Sequence, residues 1–234
     1  MELYYHPDII TTPTFSLTEE EAQHAIRTRR LRNGDPLFVT DGQGTRYSCE
    51  ILDDNLKQHQ IRVIEKKDFA PVLPEVTLYV APLKQEARFE WVIEKAVELG
   101  VHRIQPILTD RTEKVHLRYN RLEKILIAAL KQSLKYHKPE LSEALPLLKC
   151  WPATGQILFA HCMDGEKSVI RPEMTKTPIH LFIGPEGDFS PAELENARQQ
   201  NAIEISLGQA RLRTETAAIV ALTQTHHAWQ LNQQ

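Results

Sequence analysis

The stretch LFIGPEGDFSPAELENA, residues 181–197, joins a continuous apolar run to a Gly-Pro-Glu-Gly turn and a helix start. With Ile179 and His180 ahead of it the run reads IHLFIG, which suits a central strand buried on both faces. Ser190, Pro191 and Glu193 then complete a helix start. The Ser190 hydroxyl can accept from the Glu193 amide, Glu193 can reach back, and Pro191 fits the first helical position, where no N–H is required. The turn therefore lies at the carboxyl end of a strand, where open α/β sheets bind ligands. It lacks the G-x-G-x-x-G of a dinucleotide fold and the G-K-[ST] of a P-loop, so neither pyrophosphate nor triphosphate is its natural guest. Glu186 and Asp188 would repel a phosphate and suit a neutral or cationic guest. An ordinary strand-to-helix turn is the competing reading of this segment.

A second segment, ISLGQARLRTETAAIVAL at 205–222, repeats the arrangement: a short strand, Leu207-Gly208, then a helix rich in small residues from Thr214. Gly208 lets backbone approach a ligand closely, and Ala217-Ala218 allows close helix packing. Arg211, Arg213 and Glu215 stand between strand and helix, again at a strand's carboxyl end. A solvated turn with a local ion pair is the alternative.

Outward from these segments the chain changes character near residue 72. Before it, DPLFVTDGQGTRYSCEIL reads as strands broken at the turn Asp41-Gly42-Gln43-Gly44. One helix, opened by SLTEEEAQHAIR and capped by Ser16 or Thr18, interrupts this small β-rich module. DFAPVLPE, with Pro71 and Pro74, reads as a linker, dividing the chain into domains 1–72 and 73–234. After it, VTLYVAP, RIQPIL, QILFAH, IHLFIG and AIEISLG read as strands. Phe89, Val92, Ile93, Ala96, Val97 and Gly100 share one helical face, and 118–138 reads as a second long helix. Strands alternating with helices predict a largely parallel sheet with helices on both faces.

Composition sets the outer limits. The 234 residues are 41% hydrophobic and 25% charged, ordinary for a soluble globular protein of one large or two modest domains. No stretch reads as a signal peptide or a membrane span, so a cytoplasmic location without membrane partner is expected. Cys49, Cys150 and Cys162 lack close pairing and read as reduced, structural thiols. No H-E-x-x-H occurs among the ten histidines, and His226 and His227 would point about 100° apart on a helix. No metal is expected.

The net charge of −3 does not announce a nucleic-acid partner, but two local clusters do. RTRRLR at 27–32 carries Arg27, Arg29, Arg30 and Arg32, a phosphate-binding pattern. On a helical wheel Arg121, Lys124, Lys131, Lys135 and Lys138 fall within about 100° of arc, opposite Leu122, Leu126 and Leu130. A solvated helix face would look the same, yet two such clusters on one chain favour an RNA or DNA surface.

In their order and spacing, FIGPEGDFSPAE and LGQARLRTETA resemble the paired signature of the RsmE-type 16S ribosomal RNA uridine-N3 methyltransferases, S-adenosylmethionine-dependent enzymes of the SPOUT class. RFEWVIEKAVELGV, TDRTE and KQSLKYHKPEL resemble the family's middle blocks, and HAIRTRRLRNGD with VTDGQGTRYSCEI its amino-terminal PUA-like RNA-binding module. Asp188 stands where the family usually has glycine, Gln209-Ala210-Arg211 where it typically has Pro-Arg-Ile, and Lys135 where it has arginine. The resemblance implies an α/β SPOUT-type parallel sheet closed by a trefoil knot, behind a small β-rich PUA-like domain. It also implies a homodimer acting on 16S rRNA of the small ribosomal subunit. Backbone around Ile183, Gly184, Pro185, Glu186, Gly187, Leu207, Gly208 and Leu212 is implied to hold S-adenosylmethionine. Arg213 is the candidate to stabilise charge on a uracil carbonyl oxygen, and Glu215 to orient Arg213 or accept the N3 proton. The RTRRLR arginines with Lys131, Lys135 and Lys138 are the candidate phosphate contacts. From the residue pattern alone, a metabolite-directed α/β enzyme and a non-catalytic RNA-binding factor stand as rivals.

Overall fold

The computed structural model describes residues 2–9, 14–113 and 116–233. They form two compact units, 1–71 with 127–138, and 72–126 with 139–234. The return of 127–138 to the first unit is a feature that a single division near residue 72 does not contain.

In the first unit β1 (Leu3–Tyr5), β2 (Thr14–Phe15), β3 (Pro36–Thr40), β4 (Thr45–Asp53) and β5 (Gln60–Asp68) form one sheet in the order β1-β3-β4-β5-β2. Only β1 and β3 run parallel; the other pairs are antiparallel. Along β4, Thr45, Tyr47, Cys49 and Ile51 turn inward while Arg46, Ser48 and Glu50 alternate outward, the period of a half-buried strand. Against this sheet packs α1 (Glu19–Ala22), where the Thr18 hydroxyl accepts from the Glu21 amide. Ser16, the other candidate cap, instead donates its hydroxyl to the His59 carbonyl. The helix widens into a π-helix over Gln23–Thr28 and ends with Arg30 left-handed at φ 60°.

The Asp41–Gly44 turn joins β3 to β4, and both its glycines have positive φ. A side chain on Gly42 would meet Lys138 Cβ at 2.9 Å, and one on Gly44 the His137 ring at 2.4 Å. The glycines thus serve close packing as well as the turn.

In the second unit β6 (Val76–Val80), β7 (Arg103–Leu108), β8 (Glu140–Leu141), β9 (Leu145–Pro146), β10 (Gln156–Ala160), β11 (Ile179–Ile183) and β12 (Ile203–Ile205) build a seven-stranded sheet. Its order is β12-β10-β11-β6-β7-β8, with β9 also on β7, and every pairing is parallel. Register aligns Phe159, Phe182 and Tyr79 in one row across β10, β11 and β6. Tyr79 stacks on Phe182 at 4.1 Å with rings 5° apart. The next row is Leu158, Leu181 and Leu78, all fully buried, so β11 is covered on both faces as its composition requires.

Among the described residues α2 (Glu86–Leu99), α3 (Tyr119–Gln132) and α4 (Pro191–Gln199) lie between these strands in sequence, and α5 (Thr214–Leu231) follows the last. The face of α2 set by Phe89, Val92, Ile93, Ala96 and Val97 is buried, and Gly100 ends the helix at φ 87°.

The second long helix stops short of its expected end. Leu134 adopts φ 53°, the Leu134 amide donates to the Lys131 carbonyl, and the Lys135 amide donates to the Leu130 carbonyl. This left-handed closure usually takes glycine, so leucine gave no signal for it. Lys135 and Lys138 therefore leave the helix, and the expected continuous basic stripe through Lys138 does not exist.

Candidate functional site

Because β6, β7, β10, β11 and β12 are parallel, the loops that follow them share one edge of the sheet. β11 ends at Ile183, and residues 184–190 lead to α4, with Ile183, Gly184 and Pro185 buried and Glu186 and Gly187 exposed. Gly184 rests on the Phe189 ring, which a Cβ would meet at 3.0 Å. Phe189 is fully buried and packs on Phe159 at 4.1 Å, so the aromatic row of the core supports the loop from beneath.

The expected capping box is present: Ser190 Oγ accepts from the Glu193 amide at 3.3 Å and Glu193 Oε2 from the Ser190 amide at 2.8 Å. It extends beyond its own helix. Glu193 Oε1 accepts from the Asp110 amide at 2.9 Å, and Ser190 Oγ donates to Asp110 Oδ2 at 2.6 Å. From the same loop after β7, Arg111 Nη1 donates to the Gly187 carbonyl at 2.8 Å. The Lys84 amide, after β6, donates to Glu186 Oε1 at 3.3 Å.

Asp188 has φ 63°. That left-handed backbone explains why glycine suits the position, and the short aspartate side chain tolerates it. Its carboxylate does not face outward for a guest, because Oδ2 accepts the Cys162 amide at 2.8 Å. Only Glu186 of the two loop carboxylates is exposed.

In sheet order β10 lies between β11 and β12, so the 184–190 and 206–213 loops flank the exit of β10, their roots roughly 10 Å apart by strand spacing. Gly208 is exposed at φ 131°, with nothing within 4 Å of the place a Cβ would occupy. Leu207 and Leu212 are half-buried. Arg213 caps α5 through its carbonyl, which accepts from the Ala217 amide at 2.8 Å. Its side chain is exposed and makes no hydrogen bond or ion pair among the described residues. Glu215 pairs with Arg88 of α2 at 3.6 Å, while its Oε2 is buried without a hydrogen-bond partner.

At the β10 exit sit residues that local pattern did not single out. His161, its side chain fully buried, contacts Glu204 of β12 at 2.8 Å. Burial pushes its imidazole below the ordinary value near 6.5. Glu204 also accepts from Arg198 Nε at 2.8 Å, and that bond holds its carboxyl below the ordinary value near 4.5. This cluster joins strands distant in sequence, so no local motif announces it.

The basic residues of the first unit part company. Arg27, Arg30, Arg32 and Lys57 line one open cleft of about 550 Å³ beside Asp54 and Leu56. Arg32 pairs loosely with Asp54 at 3.4 Å, and Arg29 turns away to Glu2 at 2.6 Å. Lys57 was not anticipated, being isolated in sequence from RTRRLR. Lys131 is half-buried and tied to the buried Glu21, so it is no free phosphate contact. Lys135 and Lys138 are half-buried beyond the helix end, and the Lys138 amide donates to the Gly42 carbonyl.

A second cleft of about 580 Å³ opens near the amino ends of β6, β7 and β11, among Glu75, Arg103, His180 and Trp151, away from both loops. Its mixed charge matches neither the cofactor loop nor the arginine cleft. Among the described residues no group of three or more His, Cys, Asp or Glu is placed to hold a metal ion, and no helix is long and apolar enough to cross a membrane. Cys49 and Cys150 are buried free thiols, pushed by burial up to about 12 and about 11.

Glycine-bearing loops at one edge of a parallel sheet define a small-molecule-binding α/β unit, and the arginine-lined cleft of the front unit suits a polyanion. The family model described as RNA methyltransferase domain matches residues 71–226, and that of the RNA methyltransferase PUA domain matches 17–64. The chain belongs to this RNA methyltransferase family. Within it, the ribosomal RNA small subunit methyltransferase E of Bacillus subtilis is 28% identical over 228 residues, covering 90% of this chain and 89% of that protein. A Porphyromonas gingivalis crystal structure described as a probable rRNA-methyltransferase is 33% identical, covers 99% of both chains and superposes with a TM-score of 0.90. A Legionella pneumophila methyltransferase structure, "in complex with the bound cofactor SAM", is 26% identical, covers 97% of both chains and has a TM-score of 0.85.

Proposed function

We propose that the protein transfers a methyl group from S-adenosylmethionine to N3 of a uridine in 16S ribosomal RNA of the small subunit. The observation that carries this reading is the pair of loops after β11 and β12, set at one sheet edge in a chain that belongs to the RNA methyltransferase family. The loops fit that cofactor. The residues proposed to hold it, Ile183, Gly184, Pro185, Gly187, Leu207, Gly208 and Leu212, are glycine or apolar, Gly208 leaves open space, and the exposed carboxylate is Glu186. Such a lining suits a guest with an adenine ring and a cationic centre better than a phosphate.

S-adenosylmethionine supplies an activated methyl group on a sulfonium centre. The protein's share is positioning and charge. Uracil N3 must lose its proton to become nucleophilic, and negative charge then spreads onto the neighbouring carbonyl oxygens. Arg213, exposed and uncommitted among the described residues, is the proposed holder of that charge. Glu215 is the proton-acceptor candidate; its carboxylate pairs with Arg88 at 3.6 Å rather than orienting Arg213.

Arg27, Arg30, Arg32 and Lys57 are proposed to grip phosphates of the RNA, with Lys135 and Lys138 as further contacts. The target base must leave its stack to reach the loops. We also infer a trefoil knot in the second unit and a homodimer, as the resemblance of the sequence implies. A cytoplasmic location follows from the substrate. The test is transfer of labelled methyl from S-adenosylmethionine to isolated small subunits, naked 16S rRNA and free nucleotides. Label in ribosomal RNA supports the reading; label in nucleotides alone, or none, contradicts it.

A further inference from the structure

We infer that Asp188 is a positioning residue for the cofactor loop, bracing it against the exit of β10 through the Asp188 Oδ2 to Cys162 amide hydrogen bond. The inference rests on the reading of residues 183–187 as cofactor-binding backbone. Each end of the brace is held by further contacts. On the loop side, the Asp188 amide closes a turn onto the Pro185 carbonyl at 2.9 Å, and Phe189 anchors the chain in the aromatic core. On the other side, His161 next to Cys162 is buried and held by Glu204, which Arg198 holds in turn. The 2.8 Å bond between Asp188 and Cys162 links these two bodies. A non-glycine residue with φ 63° costs conformational energy, and the bond accompanies that cost. Arg111 on the Gly187 carbonyl holds the loop from β7, and the Asp188 bond adds a polar tie to the exit of β10 beside the packing of Phe189 on Phe159.

Three substitutions separate bond from backbone. Asp188→Asn keeps a side-chain carbonyl that accepts and tolerates the left-handed region. Asp188→Gly relieves the backbone but removes the acceptor, and Asp188→Ala removes the acceptor while keeping the strain. Three readouts apply to the full chain. Hydrogen exchange without cofactor should show the Cys162 amide exchanging at least tenfold faster in the Gly and Ala variants than in wild type or Asn. Calorimetry with S-adenosylmethionine should show affinity about tenfold weaker for Gly and Ala and within about threefold of wild type for Asn, with the thermal midpoint of Gly close to wild type. A Gly variant that protects Cys162 and binds like wild type overturns the brace. Wild-type protein that binds no S-adenosylmethionine overturns the cofactor reading instead, and the exchange result then decides the brace alone.

Discussion

Glu193 is the residue whose removal should unsettle the loop edge most. Its carboxylate accepts from the Ser190 amide at 2.8 Å and from the Asp110 amide at 2.9 Å, and the residue is 5% exposed. Glu193→Ala leaves the amides of half-buried Ser190 and exposed Asp110 without these acceptors. Hydrogen bonds to a carboxylate contribute about 1.5–3 kcal/mol each, so the pair should cost about 3–5 kcal/mol after partial relaxation. For a domain of this size that corresponds to a thermal shift of roughly 6–20 °C. Glu193→Gln retains one accepting oxygen and should lose about half as much. Urea unfolding followed by tryptophan fluorescence isolates the effect, because Trp91, Trp151 and Trp229 all belong to the second unit. An alanine variant within 1 kcal/mol of wild type would show that the two bonds are replaced by solvent at no cost, and the clamp between the β7 and β11 loops would lose its support.

Three further outcomes are expected. Replacing both Arg27 and Arg30 with Gln should lower the slope of log affinity for RNA against log salt by about 1.5, whereas Arg29→Gln should change it much less because Glu2 holds that side chain; equal effects from all three refute the cleft. Arg213→Ala should reduce kcat by about 10²–10³ with cofactor affinity unchanged, measured in single-turnover methyl transfer; an unaltered rate removes the charge-stabilising role. Burial depresses both His161 and His180 below 6.5, so the folded state resists their protonation. Their stabilising contribution is complete above pH 6.5 and is lost as pH falls through their lowered folded values, after which Glu204, Glu90 and Glu2, all depressed below 4.5, lose theirs. The thermal midpoint should therefore decline on acidification from pH 7 to pH 5, and a flat profile contradicts this.

Local features of the second unit were legible because they are written locally. An apolar run followed by Ser190-Pro191 and Glu193 specifies strand, turn and capped helix within a dozen residues, and the structure contains them at those positions. The buried face of α2 likewise follows from 3.6-residue periodicity. What stayed hidden depends on partners far away in sequence or on uncommon backbone. Leu134 ends α3 in a conformation that leucine rarely takes, which removes Lys135 and Lys138 from the helix. Arg29 and Lys131 look free in sequence, but Glu2 and Glu21 claim them. Asp188 read as a carboxylate facing a guest; the Cys162 amide claims it instead. Charge clusters show where basic residues are, and only the fold shows which of them remain available.

The most direct test of the central claim is nucleoside mass spectrometry of 16S rRNA after incubation of small subunits with the protein and S-adenosylmethionine. The expected product is 3-methyluridine at one position, absent when the cofactor is omitted. Methylation on another base, on another atom of uridine, or on no nucleoside at all would contradict the proposed function.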